Sequence, residues 1–74
     1  MPVAFLFAVT ELGFEEEVLG EIRTLPDVKE VHLIYGMYDV MAKIEGSTVN
    51  AVEELVKKIR MLDKIYSTET LIAP

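Results

Sequence analysis

Residues 25–46 read LPDVKEVHLIYGMYDVMAKIEG, and the pattern inside them decides the fold. Pro26 ends a helix, because a residue placed before proline is pushed out of the helical region. VKEVHLIY (28–35) then reads as a strand. Val31, Leu33 and Tyr35 share one face; Glu30, His32 and Ile34 share the other. Gly36 supplies a turn that needs positive φ. MYDVMAKIE (37–45) reads as the returning strand, with Tyr38, Val40, Ala42 and Ile44 on one face. Met37, Asp39, Met41 and Lys43 fall on the other. The stretch is therefore a helix end followed by an antiparallel hairpin.

Upstream lies VAFLFAVT (3–10), apolar at both parities. Val3, Phe5, Phe7 and Val9 point one way, and Ala4, Leu6 and Ala8 the other. Such a strand is covered on both faces and belongs at the centre of a sheet. After the connection at 11–13, Glu15, Glu16 and Glu17 suit the positive end of a helix dipole. Phe14, Val18, Ile22 and Leu25 recur at helical spacing, with Leu19 widening the stripe. Downstream, Gly46 and Ser47 break the strand pattern, and Ser47 is a good N-cap. Val49, Val52, Leu55, Val56, Ile59 and Leu62 form a second amphipathic stripe. Glu53–Lys57 and Glu54–Lys58 are i,i+4 pairs on its wet side. KIYSTETLI (64–72) makes a fourth strand, with Tyr66, Thr68, Thr70 and Ile72 on one parity.

The order is β-α-β-β-α-β in one domain spanning residues 1–74. IRTLPDVKEV (22–31) echoes IRMLDKIY (59–66) if two positions are skipped. Two such halves make an α+β, ferredoxin-like sandwich. Right-handed crossovers give a four-stranded antiparallel sheet in the order 4-1-3-2, with both helices on one face. The opposite face is bare, yet its central strand is apolar. With 51% apolar residues in 74, the chain has more greasy surface than so small a body can hide. A second copy on that face, as an isologous dimer, is the simplest cover.

Composition excludes several classes. The net charge of −6, from 7 basic and 13 acidic residues, argues against nucleic-acid binding by this chain. Lys57, Lys58 and Arg60 read as the solvated last turn of a helix. There is no cysteine, hence no disulfide or thiolate site. No apolar run reaches the roughly 18 residues of a membrane span, and PVAFLFAV (2–9) lacks the flanks of a signal peptide. A cytoplasmic protein is the default. Catalysis finds little support. His32 is the single histidine, on a strand expected at the sheet edge, and neither Ser47 nor Ser67 is placed beside it. No phosphate loop or metal-ligand spacing is present, so no cofactor is expected. Asp39 is different. It follows the turn closely, and a carboxylate there is either solvated or paired with a cation such as an α-ammonium.

LPDVKEVHLIYGMYDVMAKIEG (25–46), continued into STETLI (67–72), resembles the C-terminal effector-binding (RAM) domain of the Lrp/AsnC transcription regulators over essentially the whole chain. In that family the motif is a helix end, L-P-x-V, a strand, then G-x-Y/F-D and a third strand. The resemblance implies sheet-mediated dimers, higher assembly with the octamer common, and an amino-acid effector at subunit interfaces near the turn. It places Gly36 and Asp39 at that site with Tyr38 between them. Asp39 would meet the ligand ammonium, and backbone around Gly36–Tyr38 its carboxylate. Tyr35 and Met37 would shape the pocket, and Thr68 and Thr70 match the last-strand hydroxyls. No helix-turn-helix segment accompanies the motif here. The expected function is thus a stand-alone, non-enzymatic regulatory module that couples an effector to assembly, possible partners being full-length Lrp/AsnC proteins. A purely structural assembly partner is the alternative.

Overall fold

A computed structural model describes all 74 residues. The elements are β1 (Val3–Thr10), α1 (Glu15–Arg23), β2 (Val28–Leu33), β3 (Val40–Glu45), α2 (Val49–Arg60) and β4 (Ile65–Ala73). The sheet runs β2-β3-β1-β4 with every neighbour antiparallel, which is the ferredoxin-like order expected. β1 lies in the centre, as its two-sided apolarity required.

The core forms between one face of the sheet and both helices. Ala4, Leu6 and Ala8 of β1 and Val40, Ala42 and Ile44 of β3 are wholly buried. They meet Val18 and Ile22 of α1 and Val52, Leu55, Val56 and Ile59 of α2. Three alanines in the sheet layer let the helices approach closely. Gly46 serves the same end, since a Cβ there would lie 2.8 Å from Val52 Cγ2.

The helix ends show where local chemistry departs from expectation. Thr48, not Ser47, caps α2: its Oγ1 accepts from Ala51 N–H at 3.0 Å. On the wet side of α2 the ion pair formed is Lys57–Glu54 at 3.6 Å, an i,i+3 pair, rather than the two i,i+4 pairs. α1 has no side-chain cap on Phe14, but Glu15 Oε1 accepts from Gly13 N–H at 3.1 Å.

The internal echo is closer than the sequence suggested, for no gap is needed. Ile22 and Ile59 are both wholly buried. Leu25 N–H donates to Ile22 O, and Leu62 N–H to Ile59 O, each at 3.1 Å. Asp27 and Lys64 both take positive φ, 70° and 75°, and lead straight into an edge strand. Left-handed backbone is uncommon for such residues. Here it recurs because each helix must drop sharply onto the sheet edge.

The second face of the sheet carries no helix. Alternation and register put Phe5, Phe7, Met41 and Leu71 there, with Phe5 37% and Leu71 55% exposed. Charged groups gather at its β2 side, where Glu30 meets His32 at 3.2 Å and Lys43 at 3.9 Å.

Leu6 is wholly buried at the centre of the core. Leu6→Ala should cost about 2–5 kcal/mol of unfolding free energy, read by chemical denaturation. A loss below about 1 kcal/mol would mean the cavity collapses, and that the core is less tightly packed than described.

Candidate functional site

The hairpin is not a tight turn. β2 ends at Leu33 and β3 begins at Val40, so residues 34–39 form a six-residue loop, where strands to Tyr35 and from Met37 were expected. Gly36 has φ +129°, a conformation essentially confined to glycine, as the turn demanded.

Asp39 organises this loop. Its N–H donates to Ala8 O at 2.9 Å, and its O accepts from Ile34 N–H at 2.9 Å. Its Oδ2 accepts from Thr10 N–H at 2.9 Å. The residue thus closes the loop and caps the end of β1. The N–H groups of residues 35–38 make no hydrogen bond within the chain. Four free donors therefore lie within a few residues of a carboxylate.

Beside the loop is a cleft of about 380 Å³ lined by Glu15, Glu16, Leu33, Ile34, Tyr35 and Asp39. Three of the six are acids and none is basic. The cleft suits a cationic group, with apolar contact from Leu33 and Ile34. The glutamates looked from sequence like dipole partners only; the fold brings them to Asp39 because α1 starts above the end of β2. No group of three or more His, Cys, Asp or Glu side chains is disposed to hold a metal.

The other expected site residues divide. Tyr35 lines the cleft with a fully exposed side chain, and Met37 is 86% exposed on the loop. Tyr38 does not share the face of Val40, Ala42 and Ile44. It swings onto the open sheet face, its ring 5.5 Å from Phe7 at 44°, and its hydroxyl donates to Glu69 Oε1 at 2.6 Å. The strand begins after Tyr38, so alternation does not govern it. Thr68 and Thr70 lie elsewhere, in a groove between α2 and β4 with Glu53, Val56, Lys57, Arg60 and Ile72. Within one chain they are not joined to the Asp39 loop. At a bulge at the start of β4 the register passes from Thr10↔Ile65 to Val9↔Ser67, so Tyr66 is left unpaired and Ile65 leaves the parity of Ser67, Glu69 and Leu71 to pack against the core. His32 and Ser67 stand on opposite edge strands, about 14 Å apart by strand spacing, too far to work as a pair.

The bond to Glu69 is the main cause that raises the Tyr38 pKa above 10.0, with desolvation and the Glu69 charge adding to it. A raised folded pKa means stability present below about pH 10 and lost as pH climbs through the folded value. Glu69→Gln should return the Tyr38 titration toward the ordinary range, read by ultraviolet absorbance or NMR. An unchanged titration would mean the bond does not persist in solution.

Asp39→Ala strands Thr10 N–H and should cost about 1–3 kcal/mol of stability, read by thermal or urea unfolding. Asp39→Asn keeps an acceptor oxygen and should cost less. Equal losses would show that the carboxylate charge, rather than the acceptor, holds β1.

Comparison with known proteins shows the family. The family model described as the Lrp/AsnC ligand binding domain matches residues 4–73. Regulatory protein AsnC of Escherichia coli is 34% identical over 55 residues, 73% of this chain and 36% of AsnC. The chain thus spans about a third of the length of that relative. The hypothetical protein PHS023 from Pyrococcus horikoshii superposes with a TM-score of 0.94 at 37% identity, over 100% of this chain and 90% of that one. The transcriptional regulator NMB0573 from Neisseria meningitidis, solved in complex with L-Met, shares the fold at a TM-score of 0.82 and 14% identity, over 99% of this chain and 49% of its own. This chain belongs to the Lrp/AsnC ligand-binding domain family.

Proposed function

We propose that the chain is a regulatory domain that binds an α-amino acid at the loop 34–39 and couples that binding to its own assembly. One observation carries the reading: Asp39 stands beside four unpaired backbone N–H groups. An α-amino acid has complementary groups, an ammonium for the carboxylates of Asp39, Glu15 and Glu16 and a carboxylate for the N–H groups. Tyr35 and Met37 would close over its side chain, with Gly36 and Tyr38 supplying backbone. Membership of the family and the L-Met complex of NMB0573 support the ligand class.

The same cleft holds no basic side chain. A neighbouring subunit over the loop would shield the ligand from water, and Thr68 and Thr70 would join the site only from such a neighbour. The open sheet face supports a two-fold dimer, and packing of the loop 34–39 against a further subunit would extend it to a higher assembly such as an octamer. A ligand shared by two subunits stabilises the assembly by its differential affinity for it. Control of transcription would pass through full-length Lrp/AsnC partners in the cytoplasm, since the net charge of −6 disfavours contact of these 74 residues with nucleic acid.

One observation favours a second reading, a structural assembly partner without an effector. The Asp39 carboxylate is already engaged by Thr10 N–H, and that alone accounts for an aspartate there.

Calorimetry against the standard amino acids separates the two. Saturable binding of at least one of them is expected, weakened about tenfold or more in Asp39→Asn, which removes the charge while keeping the cap. Silence across the panel to millimolar concentration would leave the structural reading standing.

A further inference from the structure

Register orders the open sheet face into rows that cross all four strands. One row runs His32, Met41, Phe7, Glu69, from β2 through β3 and β1 to β4. The next runs Glu30, Lys43, Phe5, Leu71. Residues paired directly across strands lie side by side on one face. The first row is therefore apolar in its middle, with a histidine at one end and a carboxylate at the other. These ends stand on opposite edges of the sheet, about 14 Å apart, and cannot meet within one chain. Tyr38 holds Glu69 Oε1 at 2.6 Å, while Oε2 has no partner in the chain.

A second copy over this face is related by a two-fold axis that runs either across the strands or along them. An axis across the strands lays β4 on β4. That strand carries no Lys, Arg or His, so Glu69 would be covered without meeting a cation. An axis along the strands instead carries each row onto the same row of the partner, in reversed order. Phe7 then meets the partner's Met41, a favourable contact between sulfur and ring. Lys43 lies over the partner's Phe5, as a cation over an aromatic face. His32 meets the partner's Glu69. Stacked sheets lie about 10 Å apart, a gap that histidine and glutamate side chains span when they reach from both sides.

We propose that the sheet-to-sheet dimer is closed at each margin by His32 of one subunit and Glu69 of the other, and that protonation of His32 tightens it. This rests on the two-fold dimer of the proposed function. Histidine is the side chain that gains charge as pH falls from about 8 to about 5. Around His32 in its own chain stand Glu30 at 3.2 Å, Lys43 and Glu45 beyond it, and Arg23 and Lys29 on the outer side of β2. Those charges are present in monomer and dimer alike. The facing margin brings the partner's Tyr38, the partner's Tyr66 and the partner's Glu69, of which only the glutamate is charged near neutral pH. Association thus adds one carboxylate to each His32. The two-fold repeats the pair, so two protons favour one dimer.

Sedimentation equilibrium at about pH 8 and about pH 5.5, at constant ionic strength, tests this. The wild-type dimer should dissociate about tenfold less readily at the lower pH, from two pairs acting together. His32→Gln and Glu69→Gln, both folded by circular dichroism, should lose that response. His32→Lys, which fixes the charge, should stay tight at both. A wild-type constant that ignores pH, or a response that survives in either glutamine variant, would overturn the His32–Glu69 pair while leaving the dimer. A chain monomeric at both pH values would overturn the dimer as well.

Discussion

β1 is apolar on both faces, and the two helices cover only one of them. Ala4, Leu6 and Ala8 are wholly buried beneath α1 and α2, while Phe5 and Phe7 look the other way from the same eight-residue strand. A β-strand cannot present both parities to one layer, so helices on one side leave the second row uncovered. At about 25 cal/mol per Å², each 100 Å² of that row is worth about 2.5 kcal/mol if a partner removes it from water. No exposed ion pair on this surface approaches that value. The distribution of residues suits such a partner. Phe5, Phe7, Met41 and Leu71 form an apolar centre, and Glu30, His32 and Lys43 lie toward the β2 margin, as in a dry interface core with a polar rim.

The loop 34–39 connects that face to the proposed effector site. Tyr38 rests on Phe7 and reaches Glu69, on the open face. Its neighbour Asp39 turns to Thr10 and to the cleft at the start of α1. Two adjacent residues thus serve the two surfaces. A ligand that shifts Asp39 would be felt at Tyr38, and a subunit that packs on Tyr38 would be felt at Asp39. Such reciprocity is what a coupling free energy between sites requires.

The frame of the fold was legible because its signals were periodic. Double-sided apolarity placed β1, and the stripes of Val18–Ile22 and Val52–Leu55–Val56–Ile59 placed the helices. Gly36 was legible because its φ leaves little choice. What failed was local. Tyr38 lies two residues before the strand whose alternation was extended to it. Thr48 took the cap from Ser47, two capping hydroxyls being adjacent in the chain. The site was half legible. Asp39 stood out as a charge by a turn, but its bond to Thr10 is a contact across 29 positions that no local pattern encodes. Glu15, Glu16 and Arg60 had sufficient explanation in helix dipoles, which hid the cleft and the groove they line.

Much of this rests on whether the open sheet face is occupied. Sedimentation equilibrium of the wild-type chain and of Phe7→Glu answers it directly. A stable dimer at micromolar concentration is expected for the wild type, with Phe7→Glu, folded by circular dichroism, reduced to monomer. A wild-type chain that remains monomeric there would contradict a covered face and, with it, an effector site coupled to assembly.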